Sequence, residues 1–237
     1  MLNGGAGDAR ADDAPSVPPA GDRAPDAPVP RALKLAGVAA VLGIVLLVRM
    51  SLQRPEPPWF VPSPIALRPA AEHVVGPELV TVDARDASQW RYFSFARGSA
   101  IERPDLHGWD LAFRRFQIMA NGGAGFTGQA GIVDLGEVSF EGVDAAPTAG
   151  YVATTARGDS MNAAIERWYE YSFTSHLLSP KPRVYAIRTA DGRYAKLEFV
   201  GYYCAGASPG CVTFRYVYQG AGGASFGGRA DDGGDSG

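Results

Sequence analysis

The chain has 237 residues with 22 Lys and Arg against 25 Asp and Glu, which gives a formal net charge of −3. This balance argues against nucleic acid as a partner, because no basic excess and no run of cations interleaved with aromatics is available to neutralise phosphates. The length would hold one large or two small domains, but both ends are too poor in large apolar residues to form a core, so we expect one folded domain.

The two ends of the chain are built almost entirely of small and polar residues. Residues 1–31 consist mainly of Ala, Pro, Gly and Asp, and residues 220–237 are rich in Gly around a lone Phe226. Segments of this composition do not bury enough apolar surface to offset the entropy that is lost on ordering. We therefore predict disordered tails over 1–31 and 220–237.

An apolar stretch over 32–52 follows the N-terminal tail and predicts a transmembrane anchor in contact with membrane lipid. Its uncharged centre is shorter than the roughly 20 residues of a full span, but Lys34 and Arg49 can extend from the two edges to the headgroups. A cleaved signal peptide is an alternative, although no small-x-small cleavage site follows Val48. A buried helix of a soluble core is another alternative, although the residues on its N-terminal side are too poor in large apolar side chains to pack around it.

The orientation of this anchor depends on the two cysteines, because the flanking cations nearly balance. Cys204 and Cys211 bracket a short loop between two strand-like segments, which would bring them within disulfide range, and disulfides persist in oxidising compartments. We therefore expect a single-pass protein of the bacterial inner membrane, with a cytoplasmic N-terminus and a periplasmic C-terminal domain. Two free buried thiols are the alternative, and a zinc site would need further ligands that the three histidines do not provide by their spacing.

Residues 53–71 contain six prolines between Pro55 and Pro69. Proline denies helix and favours extended, polyproline-like backbone, so this segment predicts a stiff linker. Within it, Trp59 and Phe60 are residue types that are typical of a membrane interface.

The folded domain is expected over 72–219 and to be mostly β. Short runs rich in aromatic and β-branched residues predict its strands. These runs are 78–82, 90–95, 110–119, 132–140, 184–188, 194–203 and 212–218. Asp191-Gly192 is a hairpin signal between two of them, so the last third is predicted to form an antiparallel meander.

One segment, Ser160–Tyr171, departs from the strand pattern and predicts one short helix. Ser160 is a possible N-cap, and Ile165, Trp168 and Tyr169 would share one helical face. Such an aromatic stripe serves either as core or as a platform for a ligand.

Four blocks of sequence, in order, resemble the HmuY family. They are WDLAFRR at 109–115 followed by NGG at 121–123, WY at 168–169 with Tyr171, VYAIRTADGRYAKL at 184–197, and YY at 202–203. The resemblance implies a mainly β fold and, for the founding members, a secreted or outer-membrane lipoprotein that binds haem through two axial side chains. This chain departs from that pattern, because it has few histidines and an apolar helix in place of a lipobox cysteine.

If haem is the cofactor, His176, Met161 and His107 are the axial-ligand candidates. His176 follows the aromatic segment, and Trp168, Tyr169 and Tyr171 are the candidates for the wall of a pocket. The alternatives are a surface or turn histidine for His176, a loop residue for His107, and core filling for Met161 and Met119.

The glycines over 123–128 formally spell a dinucleotide-binding fingerprint, but the residues that follow them are strand-like, so we interpret this stretch as a loop. No nucleophile elbow or metal cluster is visible, and the chain is not expected to be an enzyme. Two functional hypotheses result. One is a haem- or porphyrin-binding protein outside the cytoplasm. The other is an accessory or structural subunit of a larger inner-membrane complex, in which the β domain is an interaction module.

Overall fold

A computed structural model describes residues 30–52, 55–102, 104–155 and 161–227 of the chain. The greater part of the predicted N-terminal tail, 1–29, and the last part of the predicted C-terminal tail, 228–237, lie outside the described residues.

Helix α1 (Arg31–Leu52) occupies the predicted membrane segment. The carbonyl of Pro30 accepts a hydrogen bond from the amide of Leu33 at 2.9 Å and so begins the helix. The described side chains of the helix are exposed. The helix is long and apolar enough to cross a membrane by length and composition. The prediction of an apolar helix at this position is confirmed.

The described part of the β domain contains eleven strands in three antiparallel sheets, and the prediction of a mostly β, antiparallel domain is confirmed. The five-stranded sheet has the order β1-β11-β10-β9-β6. Its strands are β1 (Val74–Asp83), β6 (Gly131–Gly136), β9 (Val184–Arg188), β10 (Tyr194–Cys204) and β11 (Ser208–Gln219). The four-stranded sheet has the order β3-β2-β4-β5, with β2 (Arg91–Ser94), β3 (Ser99–Ile101), β4 (Leu111–Arg114) and β5 (Gln117–Ala120). A two-stranded sheet pairs β7 (Tyr169–Tyr171) with β8 (Leu178–Pro180).

The core lies between the five-stranded and the four-stranded sheets and is dominated by aromatic rings. Phe93 on β2 and Phe113 on β4 contact Phe214 on β11, with ring centroids 5.3 Å and 5.6 Å apart respectively. All three rings are fully buried. Each such side chain contributes about 1.5–3 kcal/mol through removal of apolar surface from water, so this contact stabilises the packing of one sheet on the other.

The predicted meander is present, since β9, β10 and β11 are consecutive antiparallel neighbours. The turn between β9 and β10 is longer than a two-residue type I′ turn. The amide of Thr189 donates to the carbonyl of Arg193, and of Asp191 and Gly192 only the glycine has a positive φ. The predicted strand over 110–119 is in fact the β4–β5 hairpin, with Arg114 paired to Gln117 across a two-residue turn.

The short helix predicted over Ser160–Tyr171 does not form in the described part of this segment, 161–171. Residues 163–167 form turns, and β7 begins at Tyr169. The side chain of Asn162 accepts a hydrogen bond from the amide of Ala164, as an N-cap residue does, and its backbone amide donates to the carbonyl of Ile118 on β5. The turns that follow remain short because the pairing of β7 with β8 begins at Tyr169.

Two segments that were predicted to lie outside the domain pack against it. In the Pro-rich linker, the amide of Phe60 donates to the carbonyl of Tyr203 and the amide of Ser63 donates to the carbonyl of Thr81, so 59–63 follows the sheet and is not a free spacer. Phe226 is buried and packs with a cluster on the outer face of the five-stranded sheet, so 220–227 is ordered rather than a loose tail. The amide of Phe226 donates a hydrogen bond to the backbone carbonyl of Asp144 at 2.7 Å.

Candidate functional site

Three non-glycine residues of the described chain have a left-handed φ, namely Arg115 at 56°, His176 at 57° and Ala207 at 55°. All three line the same surface depression, which has a volume of about 530 Å³. This volume is within the range of small-molecule sites, about 300–1,000 Å³. A left-handed φ costs a non-glycine residue free energy, and such strain is concentrated at functional sites. We call this feature the β7–β8 depression. Its lining consists of Arg115, Phe116, Tyr169, Tyr171, His176, Leu177, Leu178, Tyr202, Tyr203, Ala207 and Pro209.

His176 lies in the turn that joins β7 to β8. The amide of His176 donates to the carbonyl of Ser172 at 2.8 Å, and the amide of Ser172 donates to Leu177 at 2.9 Å. The imidazole is exposed, and its Nδ1 atom is hydrogen-bonded to the hydroxyl of Tyr171 at 2.5 Å. Its Nε2 atom has no hydrogen-bond partner among the described residues. The arrangement therefore fixes one ring nitrogen and leaves the other accessible.

A disulfide between Cys204 and Cys211, with Cα atoms 5.1 Å apart, closes the loop that forms another wall of the depression. The predicted disulfide is confirmed, and the alternatives of free thiols and a zinc site are wrong for this pair. Ala207 and Pro209 lie within the closed loop and line the depression. Next to them, the hydroxyl of Tyr203 accepts a hydrogen bond from the amide of Leu178 at 2.8 Å, which joins β8 to β10.

Burial raises the pKa of Tyr202 to about 12, while the positive charge of Arg115 acts in the opposite direction. Burial also raises the pKa of Tyr169. Both phenols are therefore neutral at physiological pH. The depression thus combines neutral aromatic and aliphatic side chains with one guanidinium and one imidazole.

Of the predicted site residues, the structure brings together Tyr169, Tyr171 and His176. Trp168 is fully buried, its ring centroid lies 4.3 Å from that of Phe199, and its indole nitrogen donates to the carbonyl of Phe116 at 2.9 Å. A ring in this position is core, so the prediction that Trp168 lines a pocket is wrong.

The other ligand candidates do not line the β7–β8 depression. His107 is exposed in a turn, where its amide donates to Asp105 at 3.0 Å. Met119 is buried beside Trp109 and serves as core filling. Met161 is half-buried at the border of 156–160, which lies outside the described residues. His176 is therefore the axial-ligand candidate that the depression offers.

Arg115, Tyr202 and Ala207 were missed as site residues. Arg115 occupies the first position of the two-residue β4–β5 turn, a position that favours glycine. A glycine-free turn between two strands is the sequence signal that would have found it. The structure also settles the stretch over 123–128, which leads through a loop into strand β6 and not into a helix. Within the described ranges, no group of three or more His, Cys, Asp or Glu side chains is placed to hold a metal ion.

These features define a mostly β, antiparallel domain with an aromatic-lined depression beside a small hairpin. The sequence model for the HmuY protein matches residues 86–216, more than half of the chain, and the chain therefore belongs to the HmuY family. A search of curated protein sequences found no match.

Solved structures with the same fold include the apo HmuY analog of Tannerella forsythia. That protein is 17% identical, with a TM-score of 0.51, and the similarity covers 62% of this chain and 97% of that one. A Bacteroides vulgatus protein, provisionally described as HmuY-like and haem-binding, is 19% identical over 61% of this chain and 91% of its own, with a TM-score of 0.48. A Bacteroides fragilis protein, provisionally described as a lipoprotein, is 20% identical over 62% and 91%, with a TM-score of 0.47. At 17% identity, the similarity to the Tannerella forsythia protein supports the fold alone.

Proposed function

We propose that the domain binds haem in the β7–β8 depression, with His176 as an axial ligand. The observation that carries the proposal is the convergence of all three described left-handed non-glycine residues, His176 among them, on one depression. Membership of the HmuY family and the provisional haem-binding description of the Bacteroides vulgatus protein support the choice of ligand.

The side chains of the depression fit this cofactor. A metal-bound histidine ordinarily hydrogen-bonds through its second ring nitrogen, and the Nδ1 atom of His176 already has the hydroxyl of Tyr171 as its partner. Phe116, Leu177 and Leu178 supply apolar surface for the face of a porphyrin. Bound haem would supply an iron centre that accepts a neutral imidazole as ligand.

We also propose that α1 anchors the domain in the bacterial inner membrane, with the domain in the periplasm. The length and apolar character of α1 support the anchor, and the disulfide supports an oxidising compartment. In this arrangement the protein is a binding protein and not an enzyme.

The test is a haemin titration of the full chain, purified in mild detergent and followed by absorption in the Soret region. The wild type is expected to give a shifted Soret band, and His176→Ala is expected to abolish or move that band with an unchanged far-UV spectrum. His107→Ala, which removes an exposed imidazole outside the depression, is the matched control and should behave as the wild type.

An unchanged haem spectrum in His176→Ala would remove this residue from the site. If the wild type shows no spectral change with haemin, haem binding itself is contradicted. Co-purification of a stable partner from solubilised membranes would then favour the accessory-subunit hypothesis.

A further inference from the structure

We infer that Arg115 determines the specificity of the β7–β8 depression by pairing with a carboxylate of the ligand. This inference rests on the proposed function, because the carboxylates in question are the propionates of the porphyrin. It adds a requirement that iron coordination by His176 does not impose, namely that the ligand be an acid.

Arg115 lies in the β4–β5 turn, at a position where glycine is favoured. Arg114 pairs with Gln117, so Arg115 and Phe116 form a two-residue turn, and Arg115 alone of the two has a positive φ. Glycine would occupy this turn position without strain. Arginine in this position costs free energy because of its left-handed φ, and its side chain lines the wall of the depression.

The charge of Arg115 is not neutralised by an acidic side chain among the described residues. Its Nη1 atom donates to the carbonyls of Arg85 at 3.2 Å and Pro209 at 3.0 Å, which hold the side chain in place without cancelling its charge. Among the described residues Arg115 forms no ion pair, whereas the neighbouring Arg85 is paired with Asp83. A fixed, half-buried guanidinium of this kind attracts a carboxylate strongly, because apolar surroundings screen charge less than water does.

The surroundings of the Arg115 guanidinium also suit a carboxylate ligand. Tyr202, on which the charge of Arg115 acts, stays neutral because burial raises its pKa to about 12. No phenolate therefore competes with a ligand carboxylate for the cation. A guanidinium offers paired donors that match the two oxygens of a carboxylate, and the depression presents this fork beside the apolar surface that a porphyrin face requires.

A purely structural role for Arg115 is the competing explanation, since its two hydrogen bonds to carbonyls hold the disulfide loop and the turn together. The two explanations differ in how the effect of a substitution depends on the ligand. Loosening of the wall would weaken the binding of every ligand alike. Loss of an ion pair would weaken the binding of only those ligands that carry a carboxylate.

The experiment compares haemin with haemin dimethyl ester, whose carboxylates are masked, on the full chain in detergent. Arg115→Gln should weaken the binding of haemin roughly 10- to 100-fold, the value of a charge-assisted hydrogen bond. The affinity for the ester should change by no more than roughly twofold. Arg115→Lys, which keeps the charge, should restore part of the affinity. The matched control is Arg97→Gln, an arginine that lines a different depression and donates to the carbonyl of Arg68, and it should change neither ligand.

Equal weakening of haemin and its ester by Arg115→Gln would overturn the inference, as would equal binding of the two ligands by the wild type. Metal-free protoporphyrin IX separates this inference from the axial role of His176. One outcome is that its fluorescence shows binding that depends on Arg115 while the haemin spectrum is the same in His176→Ala as in the wild type. In that case the axial role of His176 is wrong and the carboxylate site of Arg115 is supported. If none of the three porphyrins binds the wild type, both proposals are wrong.

Discussion

Asp110 accepts a hydrogen bond on Oδ1 from the amide of Ala190 at 2.8 Å, and this contact joins residues 80 positions apart in the sequence. Its other oxygen, Oδ2, accepts from the amide of Phe95 at 2.8 Å. Ala190 belongs to the turn between β9 and β10 of the larger sheet, and Phe95 follows β2 of the smaller one. One buried carboxylate therefore satisfies two amides that would otherwise be unpaired, and it connects the two sheets that enclose the core.

We expect this carboxylate to make stability dependent on pH. Burial raises the pKa of Asp110 from 3.8 to about 6, although the two amide bonds oppose the shift. Since the folded-state pKa lies above the unfolded one, the stabilising contribution is complete below pH 3.8 and is lost as the pH rises through 6. The loss is on the order of 1–3 kcal/mol.

The measurement is urea unfolding of the wild type and of Asp110→Asn at several pH values between about 4 and about 7, the range in which the group titrates. The asparagine keeps one acceptor, cannot titrate, and should be less stable throughout. The difference in free energy of unfolding between the two proteins should narrow as the pH rises. A difference that stays constant across this range would contradict the assignment.

The strands were predictable because their signal is local. Runs of aromatic and β-branched residues predicted β9, β10 and β11, and Asp191-Gly192 predicted the hairpin between the first two. The segment 160–171 was not predictable in the same way, because its conformation depends on distant partners. It is held by hydrogen bonds from the backbone amide of Asn162 to β5 and from the indole nitrogen of Trp168 to the carbonyl of Phe116, which helical periodicity does not reveal.

The same distinction between local signals and distant partners applies to the residues of the candidate site. Tyr169, Tyr171 and His176 are close in sequence, and one short hairpin brings them together. Arg115 and Ala207 reach the depression from other elements, and neither is a glycine. A glycine-free turn is the one sequence signal at Arg115, and it does not show which surface the side chain lines. Only the three-dimensional structure shows that these strained positions share one surface.

Lys196→Met tests the packing of the outer face of the five-stranded sheet. Lys196 is buried, and its Nζ atom donates to the carbonyls of Phe140 at 2.7 Å and Val143 at 2.8 Å. The same atom lies 5.5 Å from the ring centroid of Phe226. Methionine fills the volume but leaves both carbonyls unpaired, so we expect the free energy of unfolding to fall by about 2–4 kcal/mol.

Chemical denaturation followed by tryptophan fluorescence measures this change. Lys181→Met is the control, because the side chain of Lys181 has no hydrogen bond among the described residues, and it should change stability by less than about 0.5 kcal/mol. Equal effects of the two substitutions would show that the buried ammonium is not a stabilising element.

The disulfide is also expected to stabilise the fold. Cys204 and Cys211 close a loop with a sequence separation of 7, for which the chain-entropy estimate gives about 2–3 kcal/mol. The double substitution Cys204→Ser and Cys211→Ser should therefore unfold at lower denaturant concentration. Ser208→Ala, within the same loop, is the control and should have little effect. Two alkylatable thiols in freshly isolated wild-type protein would contradict the native disulfide.

The topology of the anchor gives the last prediction. Reporter cysteines are introduced separately as Ser16→Cys, on the N-terminal side of α1, and Ser236→Cys, at the C-terminal end. A maleimide that does not cross the inner membrane should modify Ser236→Cys alone in intact cells, because the disulfide beyond α1 favours an oxidising compartment for the C-terminal side.

Lysed cells provide the positive control, since both reporters must react once the membrane is broken. The unsubstituted chain provides the background, because its two cysteines are joined in a disulfide and should not react. Labelling of Ser16→Cys alone in intact cells would reverse the orientation. Labelling of both reporters in intact cells would contradict a retained single-pass anchor, because one membrane-spanning helix places its two ends on opposite sides of the membrane.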